Sequence, residues 1–268
     1  MSAELTSEGR RAAYDLALVL ADTKFITAHR YSEWGMLGAP DIEEDIALSS
    51  VIQDELGHAR SAYRAVTKIG ADVEGGADDV DDLLYERDAD EWRSATVLDE
   101  KLANWADIVG SLAFLDFATV LVFENVRDGS FDALQGMAGK VLQEESQHVQ
   151  HGQAWLGVYA DPDQDEFEQR DMQAAIDRFV PGVASWLGTG GSELVEAGVF
   201  TRTNDEMREE FLSEVQTLVE ANGYEMPDVP DDWDDWDAST RRNAPPDPDS
   251  FTETVDEATG REHRYLAG

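Results

Sequence analysis

The chain has 268 residues, of which 42% are hydrophobic, and this is enough for one sizeable core. Its 58 acidic and 20 basic residues give a formal net charge of −38, and it contains no cysteine. So few cations exclude a nucleic-acid surface, because phosphates are bound by clustered Lys and Arg. Without thiols, any metal must be held by Asp, Glu and His. Such an acidic surface is typical of a salt-rich cytoplasm, where ions screen the repulsion.

The sequence predicts no membrane segment. Its first residues lack the cationic and apolar regions of a signal peptide. The most apolar long run, 108–123, contains Asp116 and is short for a membrane span. We therefore expect a cytoplasmic protein.

Apolar residues three and four apart, together with helix breakers, predict an all-α chain. The expected helices cover 5–34, 41–70, 82–95, 102–126, 131–159, 167–187 and 204–222. The first two long helices and the next two resemble a pair of similar hairpins. We expect residues 1–224 to form one bundle of long antiparallel helices.

The composition changes after residue 224. The stretch PDVPDDWDDWDAST is acidic and contains proline, which is typical of an extended segment. We expect 225–268 to be an extended acidic tail that lies on the surface or on a partner. Residues 251–265 are predicted to form a hairpin around Ala258-Thr259-Gly260.

Two Glu-x-x-His motifs carry the chemistry of the sequence. Glu55 and His58 lie three residues apart on the second long helix, and Glu145 and His148 on the fourth. Residues at this spacing share one helix face. Ferritin-like di-metal proteins take one such motif from each of two helices and one more carboxylate from each of the other two. We therefore predict that these four residues are metal ligands.

The third long helix offers a further ligand. Asp116 interrupts an apolar run, and a carboxylate there is costly unless it is paired with a cation, caps a turn or binds a metal. Its position, about 30 residues before Glu145, fits two mid-helix positions in an antiparallel hairpin. We predict that Asp116 faces the bundle axis as a fifth ligand.

The first helix departs from this plan. Lys24 stands where the sixth ligand is expected. Either its ammonium points inward and replaces the charge of a metal, or it extends outward to solvent and Asp22 reaches in as the sixth ligand. Asp54 and Glu144 each precede a ligand Glu. They either accept the free ring N–H of a ligand histidine from the neighbouring helix or are surface acids.

Five segments, taken in order, resemble the large subunits of phenylacetyl-CoA epoxidase, the multicomponent monooxygenase of phenylacetic acid catabolism. They are LADTKFITAHRYSEWGMLGAPDIEEDIALSSVIQDELGHA, RDADEWRSA, NWADIVGSLAFLDFA, EESQHVQHGQAWL and AAIDRFVPGVASWLG. The resemblance covers about residues 15–227. It implies a ferritin-like helical bundle.

The family has a catalytic subunit with two iron ions and a related structural subunit. By position, five residues match the catalytic ligands: Glu55, His58, Asp116, Glu145 and His148. The first-helix Glu of that subunit falls at Lys24. The segments LADTKFITAHRYSEW and RDADEWRSA resemble the structural subunit, whereas NDEMREEFLSEVQTLVEANGYEMPD resembles the catalytic one.

The resemblance also implies a reaction and partners. Iron reduced by a partner reductase would activate O2 and insert one oxygen atom into the ring of an aromatic acyl-CoA. We expect this chain to be the structural subunit of such a hetero-oligomer, without iron if Lys24 occupies the site. The alternatives are the catalytic di-iron subunit itself and a non-enzymatic ferritin-like metal-binding protein.

Overall fold

The computed structural model describes residues 5–34, 38–161 and 166–261. Regular structure in these ranges is helical, apart from one isolated bridge between Asp237 and Arg242. The helices are α1 (Ser7–Trp34), α2 (Ile42–Gly70), α3 (Val80–Tyr85), α4 (Trp105–Asp128), α5 (Asp132–Tyr159), α6 (Glu166–Leu187), α7 (Ser192–Glu196), α8 (Asn204–Ala221) and α9 (Pro248–Thr259). The predicted all-α fold is confirmed.

Four long helices form the centre of the bundle. α1 packs along α2, α4 packs along α5, and the two pairs meet mainly where α2 contacts α5. α6 and α8 then pack against α4 from the other side. This is the two-hairpin arrangement expected from the sequence, and it places the middles of α1, α2, α4 and α5 around one axis.

The predicted helix at 82–95 is wrong beyond Tyr85. A 3-10 turn, Ala89–Glu91, lies within its second half, and another, Thr96–Leu98, follows it. Asp88 and Glu91 form a capping box that starts a new turn. Arg87 leaves the helical path because its guanidinium binds the buried Asp22.

α4 is a strongly apolar helix that begins three residues after and ends two residues after the predicted 102–126. It is long and apolar enough by composition to cross a membrane, yet 89% of its most apolar stretch is buried inside the protein. That burial is characteristic of the central helix of a water-soluble bundle. A π-helical segment, Ser111–Leu115, widens the helix directly before Asp116.

The hairpin predicted for 251–265 is wrong over its described part. Asp247 caps a helix that has Pro248 in its first turn, and Gly260 ends it with φ of 65°. Phe251 and Val255, four residues apart, are both fully buried. The Ala258-Thr259-Gly260 sequence therefore terminates a helix, and residues 262–265 lie outside the described ranges.

The acidic segment before α9 lies against the bundle. The buried Arg241 donates to the last carbonyls of α6, at Trp186 and Leu187. The indole of Trp236 donates to the Ser185 carbonyl. Trp233 and Trp236 are both only partly exposed. The division at residue 224 stays a prediction.

Gly152 on α5 lets that helix approach the π segment of α4 closely. A Cβ at this position would lie 2.6 Å from the Ala113 backbone nitrogen and 2.7 Å from Leu112 Cβ. We predict that Gly152→Ala lowers the free energy of unfolding by about 1–3 kcal/mol, because two backbones must separate. The matched control is Gly139→Ala on the same helix, where nothing lies within 4 Å of a new Cβ.

Denaturant titration of the two variants checks this prediction. Gly139→Ala should be neutral or stabilising by up to about 1 kcal/mol, as for glycine replaced within a helix. Equal effects of the two substitutions would contradict the close approach.

Candidate functional site

Six buried side chains from four helices converge in the middle of the bundle. Each is no more than 4% exposed. They are Lys24 from α1, Glu55 and His58 from α2, Asp116 from α4, and Glu145 and His148 from α5. We call these six residues the central cluster.

The Lys24 ammonium lies between the three carboxylates of the central cluster. Its Nζ is 2.7 Å from Glu145 Oε1, 3.1 Å from Glu55 Oε1 and 3.1 Å from Asp116 Oδ1. The side chain is only 1% exposed. Of the two orientations that the sequence left open, the structure has the inward one.

The two histidines cross between α2 and α5. His58 Nδ1 lies 2.8 Å from Glu145 Oε1, and its Nε2 lies 2.8 Å from Glu144 Oε2. His148 Nδ1 lies 3.4 Å from Glu55 Oε1, and its Nε2 lies 3.5 Å from Asp54. Each ring thus joins a buried carboxylate to a partly exposed one on the opposite helix.

Asp54 and Glu144 therefore occupy the positions that the sequence suggested for acceptors of a ring N–H. Their side chains are 32% and 22% exposed, so they form the solvent edge of the cluster. Both nitrogens of each histidine face a carboxylate, and this arrangement favours the doubly protonated imidazolium.

Asp22 does not join the central cluster. It is fully buried, but its carboxylate pairs with Arg87 at 2.7 Å and accepts hydrogen bonds from the Tyr63 hydroxyl and the Arg93 backbone N–H. Two residues along a helix turn the side chain by about 200°. Asp22 and Lys24 therefore point to opposite sides of α1, and the alternative with Asp22 as sixth ligand does not fit this geometry.

Sequence reasoning missed Tyr31, which borders the cluster. Its hydroxyl donates to Ser111 Oγ at 2.8 Å, at the start of the π segment. Burial, together with the nearby Asp116 and Glu55, raises its pKa well above 10, so it remains a neutral phenol. The helical spacing could have indicated it, because Tyr31 lies two helical turns after Lys24 and so lies on the same face of α1.

Burial and mutual charge set the protonation of the cluster. Burial opposes the charge of Lys24, but the fields of Asp116, Glu145 and Glu55 outweigh it and raise the Lys24 pKa. Burial likewise opposes the ionisation of Glu145, yet Lys24 and His58 hold its pKa below the usual range. Both carry full charges at neutral pH.

Asp116 and His148 are shifted upward. Burial, only partly offset by Lys24, raises the pKa of Asp116 to about 8. Burial lowers the pKa of His148, but its contact with Glu55 and the field of Asp116 prevail and raise that pKa to about 9. Lys24 and the two histidines thus supply positive charge beside the acids, and the proton that Asp116 retains up to about pH 8 removes one negative charge from the cluster.

The donor set suits a metal only in part. Glu55, Asp116, Glu145 and His148 each offer a ligand atom, and these four atoms lie within 4.8 Å of one another. However, the Lys24 ammonium donates hydrogen bonds to Glu55 and Asp116 and forms an ion pair with Glu145, and it is a cation without a lone pair to donate. With Lys24 in this position the residues do not fit a two-iron centre.

Replacing Lys24 with Met tests its contribution to stability. The substitution removes the cation and leaves three carboxylates buried together, so we predict a loss of about 3–5 kcal/mol in the free energy of unfolding. Lys140→Met is the matched control, because Lys140 is 74% exposed and its ion pair is with the partly exposed Glu144. Its loss should stay within about 1 kcal/mol. Thermal and denaturant unfolding measure both, and a Lys24→Met variant as stable as the control would contradict the prediction.

The raised pKa values predict that the protein loses stability as pH rises. The folded protein holds the His148 proton to about pH 9, against 6.5 in the unfolded chain, so this contribution is complete below pH 6.5 and is lost toward pH 9. Asp116 acts in the same direction between pH 3.8 and 8. We expect a decrease on the order of 1–3 kcal/mol between pH 6.5 and 9.

Denaturant unfolding at a series of pH values measures this slope. His148→Gln should flatten it, because this variant lacks the group whose pKa is raised. A wild-type profile that is flat or rises over this range would refute the protonation scheme.

Comparison with known proteins agrees with the resemblance seen in the sequence. The family model described as phenylacetic acid catabolic protein matches residues 1–240. The C subunit of the 1,2-phenylacetyl-CoA epoxidase of Escherichia coli (strain K12) is 26% identical over 139 residues, which cover 52% of this chain and 54% of that protein. The match thus spans about half the length of this curated relative. Since the family model covers most of the sequence, the chain belongs to the phenylacetic acid catabolic protein family.

Proposed function

We propose that this chain is a subunit of a phenylacetyl-CoA-epoxidase-type oxygenase complex and that its role is structural. Membership of the family and the likeness to the C subunit of an epoxidase support the first part. The position of Lys24 supports the second. Iron would then reside in a related catalytic subunit, which carries out the reaction of the complex.

The single observation that carries the structural role is the Lys24 ammonium between Glu55, Asp116 and Glu145. A di-iron centre brings positive charge that allows carboxylates to be buried together. Here an ammonium and two histidines bring comparable charge at the same place. The bundle therefore keeps the geometry of a metal-binding fold while its stability does not depend on metal.

The charge of the chain points the same way. An aromatic acyl-CoA carries several phosphate charges, and a surface of net charge −38 repels such a polyanion. The substrate and a reductase would then bind on other subunits of the complex. We place the complex in the cytoplasm of a cell whose high salt concentration screens the acidic surface of the protein.

Iron content separates the structural role from the catalytic one. We predict that the purified protein, reconstituted anaerobically with iron(II), retains well under one iron per chain, because Lys24 competes for the same carboxylates. Lys24→Glu restores a carboxylate at the sixth position and should raise the retained iron several-fold. Lys140→Glu adds the same charge change on the surface and should not.

Metal analysis after gel filtration, together with anomalous scattering at the iron edge, measures the number of iron ions retained per chain. Tight binding of two iron ions per chain by the unmodified protein would refute the structural role. It would instead support the alternative that this chain is the catalytic di-iron subunit and that the four clustered ligand atoms bind the iron.

A further inference from the structure

A second group of metal-ligating side chains lies where the C-terminal helix α9 contacts the end of α1. It consists of His29 and Glu33 from α1 and Glu257 from α9. Each residue offers one ligand atom, and the three atoms lie within 4.8 Å of one another. We call these three residues the α1–α9 cluster. It shares no residue with the central cluster.

Helical spacing and a buried arginine position the α1–α9 cluster. His29 and Glu33 are four residues apart and lie on one face of α1. Arg30 donates to Glu33 Oε2 at 3.0 Å, which leaves Glu33 Oε1 for other contacts. Arg30 also donates to Thr254 Oγ1 at 3.1 Å, one helical turn before Glu257. The same arginine therefore orients Glu33 and holds α9 beside α1.

The Nε2 atom of His29 faces the two carboxylates without a hydrogen bond. It lies 3.9 Å from Glu33 Oε1 and 3.7 Å from Glu257 Oε2, beyond hydrogen-bond range. This nitrogen is inaccessible to solvent and has no hydrogen-bond partner in the described ranges. Buried polar atoms are rarely left unpaired, and an imidazole nitrogen is the commonest side-chain ligand of a metal ion.

A cation already contacts the two carboxylates of the α1–α9 cluster. Lys101 Nζ lies 3.0 Å from Glu33 Oε1 and 3.7 Å from Glu257 Oε2, the same two oxygens that face His29. The Lys101 side chain is 58% exposed, so its ammonium can move into solvent at little cost, unlike the buried Lys24. The ammonium thus shows where the cluster attracts positive charge, and that place is accessible from solvent.

Among divalent ions, zinc fits these three ligand atoms best. It binds imidazole nitrogen and carboxylate oxygen at about 2.0–2.2 Å, and tetrahedral bonds of that length separate ligand atoms by about 3.3–3.6 Å. The observed 3.7 and 3.9 Å need to shorten only slightly. Magnesium and calcium prefer oxygen ligands alone. The field of a chain with a net charge of −38 also attracts divalent cations.

We propose that His29 Nε2, Glu33 Oε1 and Glu257 Oε2 bind one zinc ion, which displaces the Lys101 ammonium and ties α9 to α1. Water completes the tetrahedral coordination on the solvent side. Because the ligands come from two helices that are distant in sequence, the ion binds the folded chain and stabilises it increasingly as the zinc concentration rises. The α1–α9 cluster is separate from the central cluster, so this inference does not rest on the proposed function.

Calorimetric titration of the metal-free full chain with zinc chloride tests the site. Excess magnesium occupies the acidic surface, because a hard cation competes for carboxylates but not for imidazole. We expect saturable binding at micromolar zinc and a rise in melting temperature. His29→Gln and Glu257→Gln should each weaken binding at least about tenfold, since even the partners of metal ligands contribute that much. His151→Gln is the matched control, because this histidine pairs with Glu44 outside the cluster.

A gain in affinity separates a metal site from a network of ion pairs. Lys101→Ala removes the competing ammonium and should strengthen zinc binding several-fold, whereas Lys140→Ala removes an exposed lysine elsewhere and should not. A folding defect cannot produce such a gain, and circular dichroism verifies that each variant is folded. Zinc binding that is absent from the unmodified chain, or unchanged in His29→Gln and Glu257→Gln, would overturn the proposal. So would a Lys101→Ala variant that binds zinc no more tightly than the unmodified chain.

Discussion

The buried ammonium of Lys24 is the interaction on which the centre of this protein depends. It lies 2.7–3.1 Å from one oxygen of each of three carboxylates, contributed by three other helices. Burying any one of these ions alone would cost several kcal/mol. Together with the two histidines they form a group of paired charges that links α1, α2, α4 and α5. The π segment of α4, the close approach at Gly152 and the crossed histidines all serve to bring these atoms together.

The pairing of a buried acid with a basic side chain recurs elsewhere in this acidic protein. Several of its scarce basic residues lie against buried or partly buried acids and at a helix end. Arg87 pairs with Asp22, Arg242 pairs with Asp99, and Arg241 donates to the C-terminal carbonyls of α6. Arg242 and Arg241 belong to the segment after residue 224, so buried cations bind the C-terminal part to the bundle.

Much of the fold was predictable because its determinants are local. Helical periodicity, glycine breaks and the spacing within Glu-x-x-His depend on neighbours three and four residues apart, so the long helices and the shared face of Glu55 and His58 follow from the sequence. The isolated acid in α4 also pointed inward, since an unpaired carboxylate is not tolerated in an apolar run. The errors, at 82–95 and 251–265, fall where distant contacts override local preference. Arg87 pairs with the buried Asp22, and Phe251 is buried in the hydrophobic core.

The sequence by itself determined the helical class, the two motifs and the departure at Lys24. Only the tertiary structure decided which way Lys24 and Asp22 point, because both lie near the expected ligand position and either could face inward. Arg87 comes from a distant turn and satisfies Asp22, while three acids from three other helices surround Lys24. No local rule links these residues. Their pairing follows from long-range electrostatics in a low-dielectric interior, where each buried charge must find its partner.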